Sequence, residues 1–231
     1  MLVHGSMDRG STFNKVALQL TDCTVVFYDR RGYAGSRSRP PSRSFQAQVE
    51  DLFEVLDGRS GVVAGHSLGA DVALAGAQQQ PDLIRAVVAY EPPQPWLPFW
   101  AAHSAGSVVE RADGTPADAA ERFMRRMVGD DIWQRLPART RQQRRAEGPA
   151  LVAELQSLRT GVPPFDPASI TVPVILGHGS ASRPHHVQGT SWLAEQIPTA
   201  ELEVVDGAGH GCHRSHPAAF ASLIRKAIAR A

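Results

Sequence analysis

The chain reads as an α/β fold: a mostly parallel, doubly wound sheet of about six strands, with helices on both faces. Three observations carry this expectation. Short β-branched runs alternate with helical patterns, which implies a parallel sheet covered on both sides. The turns rich in Gly, Ser and His follow the strands. One long stretch opened by prolines interrupts the alternation with helices alone. The 231 residues, 42% hydrophobic and 20% charged, are apolar enough for a packed core and suit one α/β domain.

The elements follow in order. Met1-Leu2-Val3-His4-Gly5 brings a strand end almost at once. Residues 23–28, Cys-Thr-Val-Val-Phe-Tyr, read as a buried strand closed by Asp29. Val49, Leu52, Phe53, Val55 and Leu56 space an amphipathic helix over 45–56. Residues 61–64 form a short strand, 68–80 an Ala-rich helix stopped by Pro81, and 86–90 another strand. Pro92, Pro93, Pro95 and Pro98 then break the chain, and Arg-rich helical stretches occupy 115–128 and 132–158. The alternation resumes with a strand at 172–176, a helix at 191–197, a strand at 202–205 and a helix at 217–229. The expected division is a core over 1–91, a helical insertion after the fourth strand over 92–168, and the rest of the core over 169–231.

Charge and composition exclude several classes. Lys and Arg total 24 against 23 Asp and Glu, a net charge of +1, without the basic excess of a nucleic-acid binder. No apolar run approaches a membrane span of ~18 residues. No export leader is visible. Cys23 and Cys212 form no CxxC pair, so reduced thiols in a cytoplasmic protein are expected. His178, His185, His186, His210, His213 and Cys212 raise the question of a metal, but His210-x-Cys212-His213 matches no zinc spacing. No metal is expected.

In parallel sheets function gathers at the carboxyl ends of the strands. Gly65-His66-Ser67-Leu68-Gly69 matches G-x-S-x-G between a strand and a helix. Such a turn strains the serine backbone and lifts its hydroxyl above the sheet, which makes Ser67 the candidate nucleophile. His4-Gly5-Ser6 follows the first strand and can aim a backbone N–H at the same place. The N–H groups of Leu68 and of Ser6 or Met7 are the candidate oxyanion hole. His210, on Gly207-Ala208-Gly209-His210 after the last strand, is the candidate general base.

These turns, with Asp29-Arg30-Arg31-Gly32-Tyr33, resemble the α/β-hydrolase superfamily over nearly the whole chain. The insertion lies where that family carries a cap. The resemblance implies a Ser–acid–His machine under a lid, without naming a substrate.

The acid departs from the pattern. The family commonly places it after the strand at 172–176, yet no Asp or Glu occurs between Asp166 and Glu195, and Ser182 stands near the expected position. The resemblance permits an acid after the preceding strand instead. Glu91 directly follows that strand, and neighbouring strand ends lie ~4.8 Å apart. Glu91 is therefore the candidate acid. A Ser–His dyad, or Asp206 or a carboxylate of the insertion, are the alternatives.

Other features read as structural. Asp29 to Gly32 suits a turn with local ion pairs, Asp71 favours the helix N-terminus, and the arginines of 135–145 suit a solvated helix face. Trp96, Phe99 and Trp100, beyond the prolines, are assigned to an apolar acyl pocket, and His66 beside the serine to substrate contact. The expected function is hydrolysis of a small carboxylic ester or related acyl compound without a cofactor. The alternatives are a non-catalytic binding protein, or C–C or thioester cleavage by the same groups. The resemblance also implies strands before Met1. A start further upstream is expected, because an α-amino charge beside a central strand is costly to bury.

Overall fold

The computed structural model describes residues 1–42, 44–110 and 114–231, with Glu110 as backbone only. Residues 111–113 of the expected insertion lie outside that set. Five strands form one parallel sheet in chain order: β1 Leu2–Val3, β2 Gly61–His66, β3 Ile84–Tyr90, β4 Val174–Gly179 and β5 Ala200–Val205. The helices are α1 Phe45–Leu56, α2 Leu68–Gln79, α3 Pro116–Val128, α4 Asp130–Arg135, α5 Ala138–Ala146, α6 Gly148–Leu158, α7 Pro184–Gln196 and α8 Pro217–Ile228, besides short helical turns. None is long and apolar enough to cross a membrane.

Alternation along the strands builds two cores. Val87 and Ala89 of β3 face one way and meet Val49 and Leu52 of α1, Leu74 of α2 and Leu193 of α7. Ala86, Val88 and Tyr90 face the other way and meet Phe220, Leu223 and Ile224 of α8. A third cluster joins Phe123 of α3, Trp133 of α4 and Leu151 of α6 to Met7 and Tyr33 from the loops above the sheet. Helix α3 starts sharply because Thr115 and Asp118 make a capping box around Pro116. A Cβ on Gly148 would stand 2.1 Å from the Pro116 carbonyl oxygen, so only glycine lets α6 lie this close to α3.

The sheet corrects the expected six strands. Residues 23–28 do not form a buried strand. Only a bridge from Leu2 to Phe27 and the Leu2 N–H to Val26 O bond, 2.8 Å, tie them to β1. The run is rich in β-branched residues, but β1 offers two residues to pair with, and propensity without a partner makes no ladder. The insertion therefore follows the third strand. Its 132–158 stretch splits into α4, α5 and α6, since Pro137 and Pro149 cannot continue a helix. Pro173 delays β4 to Val174. Helix α7 begins already at Pro184, its polar first half having hidden the period. The Met1 amine donates to Val62 O at 2.8 Å, and burial lowers its pKa to about 6.

Asp71, in the first turn of α2, is wholly buried, and both carboxyl oxygens lack a hydrogen-bond partner among the described residues. Burial holds its pKa well above the ordinary carboxyl value, outweighing the favourable helix dipole. The folded state keeps a proton that the unfolded chain releases above the ordinary carboxyl pKa. Stability from this group is therefore full at low pH and falls by about 1.4 kcal/mol per pH unit as pH rises toward Asp71's own pKa. Asp71→Asn is expected to remove that slope. Urea unfolding of both proteins between pH 5 and 7 measures it, and equal slopes refute the account.

Candidate active site

The turns at the carboxyl ends of the strands converge because the ladder extends into them. The Ser67 N–H donates to Tyr90 O and the Glu91 N–H to Gly177 O, both at 2.9 Å. Serine and acid are thus held on adjacent strands by main-chain bonds. Ser67 has φ 54° and ψ −131°. A Cβ on Gly65 would stand 2.2 Å from Gly69 O, and one on Gly69 2.2 Å from Val3 O. Both glycines are therefore required for α2 to pack on the strand ends. Glu91 and Met7 also have positive φ, 49° and 55°, each a strained conformation worth about 1–3 kcal/mol.

Glu91 is wholly buried. Its Oε2 accepts the His210 Nδ1–H at 2.7 Å. Its Oε1 accepts the Gly179 N–H at 3.0 Å and the Ser182 hydroxyl. Burial pushes this carboxyl up, but the bonds from His210, Ser182 and Gly179 prevail and hold its pKa below the ordinary value. A carboxylate only accepts, so the proton facing it is on His210 Nδ1, and in the neutral ring the lone pair is then on Nε2. Ser182, which stands near the expected acid position, donates to Glu91 instead.

Other histidines surround His210. His186 stacks on it with centroids 4.2 Å apart and 18° between planes, and His66 lies at 4.6 Å. The His66 Nε2–H donates to the His210 carbonyl oxygen at 2.7 Å. Burial, then neighbouring histidines, hold His66 and His186 well below the ordinary imidazole pKa. Both rings are therefore neutral near neutral pH.

Ser67, Ser6 and His210 line two adjoining cavities. The inner, of about 50 Å³, is walled mainly by apolar groups including Trp100, Phe123, Met127 and Leu155. The outer, of about 340 Å³, is more polar and lined by Met7, Asp8, His66, Arg144, Arg183 and Arg214 among others. Of the three aromatic residues assigned to a pocket, Trp100 lines the cavity beside Ser67, and Trp96 and Phe99 do not. Trp96 packs edge-on against Phe165, and Phe99 is 40% exposed. Aromatic content alone did not say which face each ring would turn. A larger groove of about 610 Å³ lies at the amino ends of the strands, lined by Leu2, Val62 and Ile224. No candidate site residue borders it.

Leu68 opens α2 directly after Ser67. Ser6 lines both cavities beside Ser67, and Met7 only the outer one. The Met7 carbonyl accepts from Arg144 of α5 at 2.8 Å. Arg144 also pairs with Glu147, while Arg145 pairs with Asp118 and Glu121. Arg144, Arg145 and Arg141, which donates to the carbonyls of Gln134 and Leu136, are thus tied to the protein rather than merely solvated.

Arg30 of this turn is buried, and its ion pair is long-range rather than local. It donates to Glu154 of α6 at 2.9 Å, to Gln48 at 3.2 Å and to His4 O at 2.8 Å, and Tyr33 donates to Glu154. His4 accepts the Arg30 N–H, and burial lowers its pKa to about 3. It is a neutral brace. The sequence missed Ser182 as donor, the stacking of His186, and a contact between Asp8 and His213 at 3.1 Å. Each joins residues far apart in the chain, and no local spacing signals it.

A family model described as the alpha/beta hydrolase family matches residues 1–223. A 2-(acetamidomethylene)succinate hydrolase from Mesorhizobium japonicum is 24% identical, covering 94% of this chain and 83% of its own. An sn-1-specific diacylglycerol lipase, ABHD11, from Mus musculus is 23% identical over 99% of this chain and 80% of its own. The structure of a thermophilic esterase from Thermogutta terrifontis superposes with TM-score 0.74 at 21% identity, covering 97% of this chain and 87% of that one. The strained serine turn, the parallel sheet beneath it and a family match running through both halves of the core converge on one assignment: the chain belongs to the α/β-hydrolase family.

Proposed function

We propose that the protein is a serine hydrolase of small carboxylic esters or related acyl compounds. The observation that carries this reading is Ser67 on a strained turn, sharing a cavity with His210, whose Nδ1–H is held by buried Glu91. Ser67 Oγ attacks the acyl carbon while His210 Nε2 takes its proton, and the imidazolium is stabilised by Glu91. The N–H groups of Leu68 and Ser6 receive the oxyanion. Collapse expels the alcohol, protonated by His210. Water then attacks the acyl-enzyme with His210 again as base, and releases the acid and free Ser67. Acyl transfer to water needs no cofactor.

The helices of 92–168 act as the cap that closes the inner cavity. Its small apolar volume suits a short acyl group. Arg183 and Arg214 on the outer cavity favour a substrate that also bears a carboxylate, in keeping with the relative named for a succinate derivative.

A fluorophosphonate probe and a panel of neutral and carboxylated esters test this. Stoichiometric labelling of Ser67, absent in Ser67→Ala, with turnover best on short acyl groups, is expected. A folded protein that takes no label is a binding protein on this fold, and the reading fails.

A further inference from the structure

Asp8, His66 and His213 meet beside Ser67 on the wall of the outer cavity. His213 Nε2 lies 3.1 Å from the Asp8 carboxylate, the two imidazole centroids are 4.3 Å apart, and one potential ligand atom from each of the three residues lies within 4.8 Å of the others. His66 and His213 are 6% and 1% exposed, yet Nδ1 of each has no hydrogen-bond partner among the described residues. Buried polar nitrogens are seldom left unmatched. The state of His66 is defined: its Nε2 faces a carbonyl oxygen, which only accepts, so the proton is on Nε2 and Nδ1 carries a bare lone pair. A ring nitrogen presented by a hydrogen bond from its opposite nitrogen to a carbonyl is how ligating histidines are oriented.

We propose that Asp8, His66 and His213 bind a borderline divalent cation of the zinc class, and that this cation reversibly represses the hydrolase. Two imidazoles and one carboxylate suit such an ion, leaving an open position toward the cavity. Magnesium and calcium demand mainly oxygen ligands and do not fit. Arg144 and Arg214 line the same cavity, so the open position favours an anionic fourth ligand. Repression follows from charge. His66 lies 4.6 Å from His210, and a dication ligated by His66 opposes the imidazolium that His210 must form on each turnover.

A second group, Glu91, His186 and His210, has comparable spacing. There the Glu91 oxygens already accept from His210, Gly179 and Ser182, which leaves less to offer a cation. The site itself stands apart from the proposed activity; only repression rests on it.

The test titrates the metal-free full chain with zinc chloride against a chromophoric chelator, alongside ester hydrolysis. One equivalent is expected to bind, magnesium is not, and bound zinc is expected to slow hydrolysis until a chelator is added. Asp8→Asn and His213→Gln should each weaken binding at least about tenfold, while His186→Gln should leave it within about twofold. The Asp8 carboxylate is 14% exposed against 1% for the His213 ring, so its variant remains informative if His213 tolerates no change. Absence of stoichiometric binding, or binding lost in His186→Gln and kept in Asp8→Asn, overturns the site. Zinc that binds through Asp8 without slowing hydrolysis overturns the repression. A protein that binds zinc through Asp8 but hydrolyses no ester overturns the proposed activity and leaves the site intact.

Discussion

Glu91→Gln is expected to lower kcat about 10⁴-fold, with KM within about twofold. The amide keeps the volume of the acid but loses its charge, and it can present an N–H where His210 needs an acceptor. Either the imidazole flips its proton to Nε2, the atom that must take the serine proton, or the imidazolium forms beside a neutral group. The fold should survive, because Ser182 and Gly179 can still donate to the amide oxygen. Rescue makes the test specific. Ser182 already touches the Glu91 carboxylate, so Glu91→Gln with Ser182→Asp places a carboxylate on the neighbouring strand end. That pair is expected to regain about tenfold or more in kcat. Steady-state kinetics decide it, and full activity in Glu91→Gln moves the acid elsewhere.

Breaking the Arg30–Glu154 pair should have the largest effect on stability. Both side chains are 1% exposed. Glu154→Gln leaves the buried guanidinium without a charged partner, only amide and carbonyl oxygens still accepting from it, an expected cost of about 3–5 kcal/mol. That is a large part of the 5–15 kcal/mol that typically holds a domain. The damage should reach activity too, since Glu154 also receives the hydroxyl of Tyr33, which packs with Met7 beside the cavity. Replacing both partners by apolar residues, Arg30→Met with Glu154→Leu, should recover most of the loss, because no charge is then left unpaired. Urea unfolding measures both. A loss under about 1 kcal/mol in Glu154→Gln means that the pair adds little beyond packing.

What the chain reveals before folding is uneven, for physical reasons. The turns that carry Ser67 and His210 were legible because their signal is local: Gly-rich runs bounded by strand and helix patterns. Glu91 was a candidate through the resemblance, which permits an acid after the preceding strand when residues 167–194 hold none. That Ser182 would donate to Glu91 was not, because the contact spans 91 residues and depends on the β3–β4 register. Asp71 was placed correctly in its helix and wrongly in its setting, as the helical period gives a face but not the depth of packing. The run 23–28 has the propensity of a strand and lacks the neighbour that would make it one. Trp96 and Trp100 are four residues apart, yet one braces Phe165 and the other walls the cavity.

The left-handed backbone at Met7, Ser67 and Glu91 sets the protein's prospects under mutation. Glycine relieves such a conformation at no steric cost. At Met7 the buried side chain outweighs that relief, but a population of variants selected only for folding would relax the strain at Ser67 and Glu91 by acquiring glycine, erasing the proposed nucleophile and acid as it did so. Chemistry and robustness compete here at single residues. Stabilising changes compatible with turnover must be sought elsewhere in the molecule, with the unmatched carboxyl of Asp71 the first place to look.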